Sequence, residues 1–458
     1  MTDKLSVADG VMPSLTRTQM FGWAVGSHGT SVMIGAITFY LLFYMTDSLG
    51  IGVLAASQVI FFVRIYDLVT DLIMGHISDR TRSRIGRRRP YLLIGAIGCF
   101  ASFVLVFNLP VFSSELTTTV VIALVLILYS TAYTVFNVPH LAMPAEMTSG
   151  YHERTVLMSY RVVFFISAQM LLAVGGAQLL KQFGDEIGYA LFGWIIGSTV
   201  LIAMLLSFWM TRNVFFVERT EEIHYSVKKQ VALVFKNRPF TIFIGAKMCL
   251  LVANASFSAA FLFFAEHVVG RGPALMMSLG IFLTLGTLAS IPLWSFIAKR
   301  VGKRKTLISS CLCYSVVMTT WLLASPSEAD LFLNGRILMI GLCLGGIMII
   351  GFSLLPDTIE YDRLTSGINR EGVYTGMYST MEKAASAFGP LLFGSILAAV
   401  GFVSSKAGER VVQPDAAVEV IYFAVGILPA LAAIGAACIM FFYKLDANDL
   451  KELAKQNA

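Results

Sequence analysis

Residues Arg64–Gly75 read RIYDLVTDLIMG, and the basic run SDRTRSRIGRRRP follows at 78–90. LAASQVIFFV (54–63) precedes the first stretch, so it reads as membrane-embedded, yet it holds one arginine and two aspartates. A charged side chain at the bilayer centre costs about 2.5–3.5 kcal/mol on insertion scales. Three of them in one short stretch therefore need partners, water or a function. On a helix Asp67 and Asp71 are i,i+4 neighbours on one face, Arg64 joins that face at i−3, and Thr70 lies beside it. Two carboxylates one turn apart, with a hydroxyl nearby, offer hard oxygen ligands to Na+ or a place for a proton. The other reading is a structural Arg64–Asp67 ion pair, which leaves Asp71 uncompensated.

Composition agrees with a membrane setting. Of 458 residues, 57% are hydrophobic and 14% charged, against about 25% charged in soluble domains. The six cysteines lie inside apolar runs without CxxC or Cys/His spacing, so neither disulfides nor a metal site is expected beyond a coupling cation. No G-x-S-x-G, H-E-x-x-H or P-loop pattern occurs, so no enzyme activity and no cofactor are expected. The polar N-terminal segment lacks the apolar core of a cleaved signal peptide, which leaves the first span as insertion signal.

A helix needs about 20 apolar residues to cross a bilayer. Twelve segments qualify, near 20–45, 51–77, 91–111, 118–143, 156–180, 188–211, 239–265, 274–297, 305–324, 336–355, 375–400 and 417–443. The loops after the second, sixth and eighth are strongly basic, and those after the first and third hold no Lys or Arg. That asymmetry puts both termini in the cytoplasm and explains the net charge of +6 without nucleic acid. SRIGRRRPYLLI (83–94) recurs as KRVGKRKTLISS (299–310), six spans later. The expected fold is an all-α membrane protein of twelve helices in two pseudo-symmetric six-helix halves. Its parts are a cytoplasmic segment 1–19, a bundle 20–211, a cytoplasmic loop 212–238, a bundle 239–443 and a tail 444–458.

Weaker signals lie inside the spans. Lys383 is either a counter-charge for Asp67 and Asp71 or a snorkelling residue, and Lys247 reads as a snorkelling residue. Glu382 points elsewhere on Lys383's helix. Asn137 and His140 flank Pro139 in span 4, where a broken helix exposes backbone near a binding site. Arg161 is either a substrate anchor or interfacial. His28 and the aromatics Tyr40, Tyr44, Tyr133, Tyr374, Tyr378 and Trp294 either face a cavity or pack. Asp79, Arg80, Gly86 and Arg87 form a candidate gating latch, with Asp79 capping span 2 and pairing with a basic loop residue when the cytoplasmic side is shut.

Together these motifs resemble the glycoside–pentoside–hexuronide:cation symporters, the melibiose permease branch of the major facilitators. The carriers are LLFYMTDSLGI (41–51), RIYDLVTDLIMG with its basic loop, YTVFNVP (133–139), ERTVLMSYRVVF (153–164) and LLPDTIEYDRLTSGINREGVYTGMYSTMEKAASAFGPLLFGSILAAVGF (354–402). The resemblance implies cation-site carboxylates at Asp67 and Asp71, a cation-site threonine at Thr134, a lysine beside that site at Lys383 and a sugar-binding arginine at Arg161. Thr70 replaces the family's asparagine, which leaves Na+ against H+ open. Two sugar-gripping aspartates of melibiose permease read Ser31 and Asn137 here. The animal lysolipid symporters, distant members, lack that pair too and carry a D-x-x-T-D motif. The function implied is cation-coupled import of a glycoside, pentoside or hexuronide by alternating access. An amphiphilic or anionic substrate such as a lysolipid is the alternative, and a non-transporting sensor a third. Cation ligands are expected at Asp67, Thr70, Asp71 and Thr134. Substrate contacts are expected at Ser31, Arg64, Asn137, His140, Arg161, Tyr378 and Lys383. The expected setting is a bacterial inner membrane, with lipid around a monomer and a small-molecule substrate as its only other partner.

Overall fold

The computed structural model describes residues 15–83, 85–147, 151–212, 234–366, 371–406 and 411–456. Most of the expected segments 1–19 and 212–238 lies outside the described residues.

The described chain is helical. Helix α1 (Arg17–Ala36) runs on through two π-helical turns, Ile37–Leu41 and Tyr44–Ser48. Then come α2 (Val53–Arg80), α3 (Arg89–Phe107), α4 (Glu115–Met147), α5 (Tyr151–Met170) and α6 (Ala177–Met210). Gly184 (φ 74, ψ 179) breaks α6 and turns it back on its own first residues. After the central segment follow α7 (Arg238–Phe263), α8 (Gly272–Val301), α9 (Lys303–Thr319), α10 (Asp330–Ser366), α11 (Glu371–Ala399), α12 (Asp415–Met440) and a short terminal α13 (Ala447–Gln456). Among the described residues nine helical stretches are long and apolar enough to cross a bilayer, one of them the 55-residue run Val156–Met210. The expected spans 20–45 and 375–400 form α1 and α11. Both carry several polar side chains, such as Ser27, His28 and Ser31 or Glu382 and Lys383, and these lower their mean hydropathy.

Helices in lipid gain little from hydrophobic contact with one another, so close approach at small residues carries the packing. On α8 and α10 Gly286 and Gly341 face each other so closely that a Cβ on either would sit 2.4 Å from a carbonyl oxygen of the other helix. A Cβ on Gly95 of α3 would sit 2.7 Å from the backbone nitrogen of Phe136 on α4. By such contacts α1 packs on α5 and α6, α3 on α4 and α6, and α2 on α4. Likewise α7 packs on α11 and α12, α9 on α10 and α12, and α8 on α10.

The recurrence in sequence is also a recurrence in backbone. Gly86 and Gly302, the glycines of the two basic motifs, both have positive φ (104 and 88). A second echo lies at the far ends of α1 and α7. YMTDSLG (44–50) and FAEHVVG (264–270) each make a π-helical turn closed by a glycine, Gly50 (φ 70) or Gly270 (φ 71). The bonds Leu49 N–H to Tyr44 O and Ile51 N–H to Met45 O are matched by Val269 N–H to Phe264 O and Arg271 N–H to Ala265 O. A left-handed residue ends a helix at little cost only when it lacks a Cβ.

The first six helices and the later ones meet mainly along α2–α11, with α1 on α7 and α5–α6 on α8. Gly394 of α11 lies against Ser57 of α2, Phe61 meets Phe388 at 5.3 Å, and Phe43 meets Phe263 at 5.1 Å. The Ser405 N–H donates to Thr46 O at 3.0 Å, beside a bridge between Leu49 and Lys406. All these contacts lie from the middle of the helices to the end away from the chain termini.

Candidate cation and substrate site

Helix α2 turns Asp67 and Asp71 toward α4 and α11. Asp67 is buried and Asp71 partly so. Helix α4 supplies Thr134, whose hydroxyl lies 2.9 Å from Asp67 Oδ1 and 2.9 Å from Asp71 Oδ1. One turn earlier on α4, Ser130 donates to Asp67 Oδ1 at 3.0 Å. Helix α11 supplies Lys383, whose ammonium is 3.3 Å from Asp67 Oδ2 and also ion-paired with Asp71 Oδ2. The cluster therefore ties the first set of helices to the second.

Proton counting shows what the cluster still accepts. A threonine hydroxyl has one hydrogen, so Thr134 donates to only one of its two carboxylate neighbours. The other contact is oxygen against oxygen until a proton or a metal cation joins it. Within the hydrogen-bonded cluster Lys383 supplies one positive charge for two carboxylates, while Arg64 lines the same cleft without an ion pair to either among the described residues.

The remaining expected residues divide. Thr70 is adjacent but turned away, since its hydroxyl donates to the carbonyls of Tyr66 (3.1 Å) and Asp67 (3.2 Å) on its own helix. Arg64 lines a narrow cleft with Asp67, Tyr129, Ser130 and Tyr133, and its Nε is buried without a hydrogen-bond partner. It makes no ion pair with Asp67 among the described residues. Ser31 is buried and donates to Ser27 O at 2.6 Å, which occupies its only proton. Asn137 is buried and Arg161 half-buried, and neither makes a hydrogen bond among the described residues. Tyr378 lies parallel to Phe243 at 6.3 Å on the α7 side.

His140 is a packing residue rather than a substrate contact. It is fully buried, stacks on Trp23 at 5.0 Å, and its Nε2 lies 2.8 Å from Trp23 O, while Trp23 Nε1 donates to His140 O at 2.8 Å. This reciprocal pair locks α1 to α4. His28 pairs with Ser167 of α5 at 2.9 Å. Tyr40, Tyr374 and Trp294 are likewise spent on helix packing, through bonds with Leu172 O, Asn237 Nδ2 and Leu342 O. Tyr44 sits in a ring cluster with Phe107 and Tyr189. Lys247 does not snorkel: its ammonium lies inside the bundle, 5.8 Å from the Phe352 ring and 5.9 Å from the Tyr378 ring.

In the basic loop Asp79 Oδ1 accepts from Arg88 Nη2 at 3.0 Å, and Arg87 reaches the Asp79 carbonyl at 3.3 Å. The partner of Asp79 is thus in its own loop, and the pair forms while the two helix sets meet only toward the opposite end. Arg80 is exposed, and Gly86 makes the turn.

Three residues of note escaped the sequence reading. Ser130 is i−4 from Thr134 and could have been found from that spacing alone. Asp47 and His267 could not. They lie 220 positions apart, and His267 Nε2 sits 2.9 Å from Asp47 Oδ1, with the Thr46 hydroxyl on Asp47 Oδ2 at 2.6 Å.

Comparison with known proteins bears on the family and the fold. The sequence profile of the MFS/sugar transport protein family matches residues 22–447. A putative glycoside/cation symporter of Escherichia coli, YagG, is 26% identical over 97% of this chain and 95% of its own. The glucuronide carrier protein homolog of Escherichia coli is 25% identical over 94% and 93%. The solved D-xylose-proton symporter has a TM-score of 0.64 at 14% identity, covering 94% of this chain and 97% of that one, which bears on the fold. With its apolar spanning helices, the chain belongs to the MFS/sugar transport protein family, as a multi-pass transporter of the bacterial inner membrane.

Proposed function

We propose that the protein is a cation-coupled symporter for a small sugar-like solute, and that Asp67, Asp71 and Thr134 hold the coupling cation, Na+ or H+. The observation that carries this is the Thr134 hydroxyl set 2.9 Å from two carboxylates that one lysine bridges. Lys383 stands where a coupling cation would stand. In the ion-free state its ammonium neutralises the carboxylates and ties α11 to α2. When the cation takes the carboxylates, Lys383 is released and the link between the two helix sets loosens. Ser130 joins Thr134 as a hydroxyl ligand, whereas Thr70 orients its helix only. Asn137, i+3 from Thr134 on α4, and Arg161 face the solute.

The architecture proposed is two six-helix halves, 20–211 and 239–443, with both termini in the cytoplasm. The paired backbone motifs support the halves, and the basic loops support the orientation. On that orientation the contacts described above close the outer side, and the inner side is open. The Asp79 loop, with Arg80, Gly86 and Arg87, then acts on the inner gate. The names of relatives, a glycoside/cation symporter and a glucuronide carrier among them, support the solute class. Uptake in membrane vesicles, over a panel of glycosides and pentoses with an imposed Na+ or pH gradient, tests the reading. Accumulation that one gradient drives and an ionophore collapses is expected. Solutes that merely equilibrate, whatever the gradient, would leave a uniporter instead.

A further inference from the structure

The far ends of α1 and α7 are joined by a contact that the coupling cluster does not use. His267 Nε2 sits 2.9 Å from Asp47 Oδ1, across the two helix sets, and the Thr46 hydroxyl donates to the other carboxylate oxygen at 2.6 Å. Both side chains are shielded, Asp47 at 6% exposure and His267 at 13%. The rings of Phe43, Phe263 and Phe402 lie 6.1, 6.2 and 5.6 Å from the imidazole. Each member of the pair belongs to a π-helical turn that ends in a left-handed glycine, Gly50 or Gly270. The Ser405 N–H, bonded to Thr46 O, ties the chain after α11 to the same place.

A neutral imidazole offers Asp47 an ordinary N–H, whereas an imidazolium offers a charged one, about twice as strong. The apolar rings sharpen the difference, because a poorly compensated carboxylate is costly among them. Histidine ordinarily changes charge between about pH 5 and pH 8. Among the described residues, the other charged groups on elements packed against this turn are Glu266 beside it, Arg271 paired with Asp330 where α8 and α10 begin, Lys406 against Gly50, and Asp415 and Glu419 on α12. Asp185, at the break in α6, is within electrostatic reach of Asp47. Of all these groups, Asp47 is the one bonded to the imidazole.

We infer that the Asp47–His267 contact is a pH-sensitive lock on the far end: protonation of His267 holds that end shut, and deprotonation lets it open. The imidazolium gains its carboxylate only in the closed arrangement, so closing and protonation favour each other, as linked equilibria must. The bias is therefore fully present at acid pH and is lost as the pH rises through the histidine range. That this end faces outside rests on the orientation proposed above, and on it external acid retards entry of solute.

Spin labels at Val111→Cys and Leu331→Cys, exposed far-end positions on the two helix sets, report the opening as a distance. The full-length protein is measured in micelles, without other reactive cysteines, at about pH 5.5 and about pH 8, on either side of the ordinary histidine value of about 6.5. In the wild type the ratio of open to closed should be about fivefold larger at the higher pH, through loss of a charge-assisted bond. H267Q keeps an N–H donor but takes no proton, so its ratio should change by less than about twofold. H267K stays charged over this range, and at the higher pH it should be as closed as the wild type is at the lower. A wild type whose distances ignore pH overturns the lock without any variant. An H267Q that follows pH as the wild type does overturns it too and assigns the response to Asp67 and Asp71. Micelles have no sides, so these outcomes are independent of orientation and of symport. Vesicle uptake that no gradient drives would reject symport and leave the lock standing.

Discussion

Among the described residues, ion-paired contacts cross from one set of helices to the other at two places, and they are built differently. Mid-membrane, Asp67 and Asp71 face Lys383, with Thr134 and Ser130 adding hydroxyls. At the far end Asp47 faces His267, with Thr46 adding one hydroxyl. The far-end pair has one carboxylate and one imidazole in direct contact. It is also an echo pair: Asp47 and His267 hold the same position in the matched motifs YMTDSLG and FAEHVVG. The central pair has two carboxylates for one lysine and a hydroxyl that cannot serve both. On the function proposed above, the two-carboxylate contact is the exchangeable site, and the one-to-one contact is a clasp between the far ends.

The strongest way to break this contrast is to remove one central carboxylate. Asp67→Asn or Asp71→Asn leaves Lys383 balanced by the other aspartate, so the site no longer calls for a cation and the protein still folds. Gradient-driven accumulation should fall on the order of 100-fold, the upper range of allosteric coupling between two ligands. Thermal unfolding in detergent should change little. Full accumulation by both variants would remove the cation site from α2.

A smaller effect is expected at the clasp. A hydrogen bond to a charged partner contributes about 1.5–3 kcal/mol, and conformational states of such proteins differ by only a few kcal/mol. Asp47→Asn weakens the bond without emptying the space, so the far end should open roughly tenfold more often. Ser57, fully buried against Gly394 beneath the clasp, reports this. Maleimide should modify a Ser57→Cys variant about ten times faster when Asp47→Asn is added, in a background without other reactive cysteines. An unchanged rate would make the pair a bystander.

How much of this was legible in the sequence follows from what each signal depends on. Charges inside an apolar run are a local property, and the α2 carboxylates came from it directly. Thr134 came through resemblance, because nothing local distinguishes it from other span residues; Lys383 stood out as a charge inside a span, and the resemblance favoured counter-charge over snorkelling. The recurrence of the glycine-centred basic motif announced the backbone echo at Gly86 and Gly302. His140 was misread because its role is set by Trp23, on another helix 117 positions away. Lys247 was misread because snorkelling is the usual fate of a span lysine, and only the fold shows rings of α10 and α11 around its ammonium. Asp47 and His267 each sit at a span end, where a polar residue ordinarily meets water, so neither drew notice alone.

The smallest expected effect separates two hydroxyls that look alike in sequence. Thr70 lies between the two aspartates and Ser130 lies on another helix, yet only Ser130 reaches a carboxylate. A threonine in a helix interior readily bonds the carbonyl three or four residues back, and Thr70 does so at Tyr66 and Asp67. Its hydroxyl is therefore spent before any cation arrives. Thr70→Val keeps the shape and loses a bond that the helix barely needs, so cation affinity should stay within about twofold. Ser130→Ala removes a hydrogen bond to a buried carboxylate, about 1.5–3 kcal/mol. The cation concentration for half-maximal uptake should shift roughly tenfold in that variant. Measured side by side, equal shifts in the two variants would put Thr70 back among the ligands, in a rotamer turned toward Asp71.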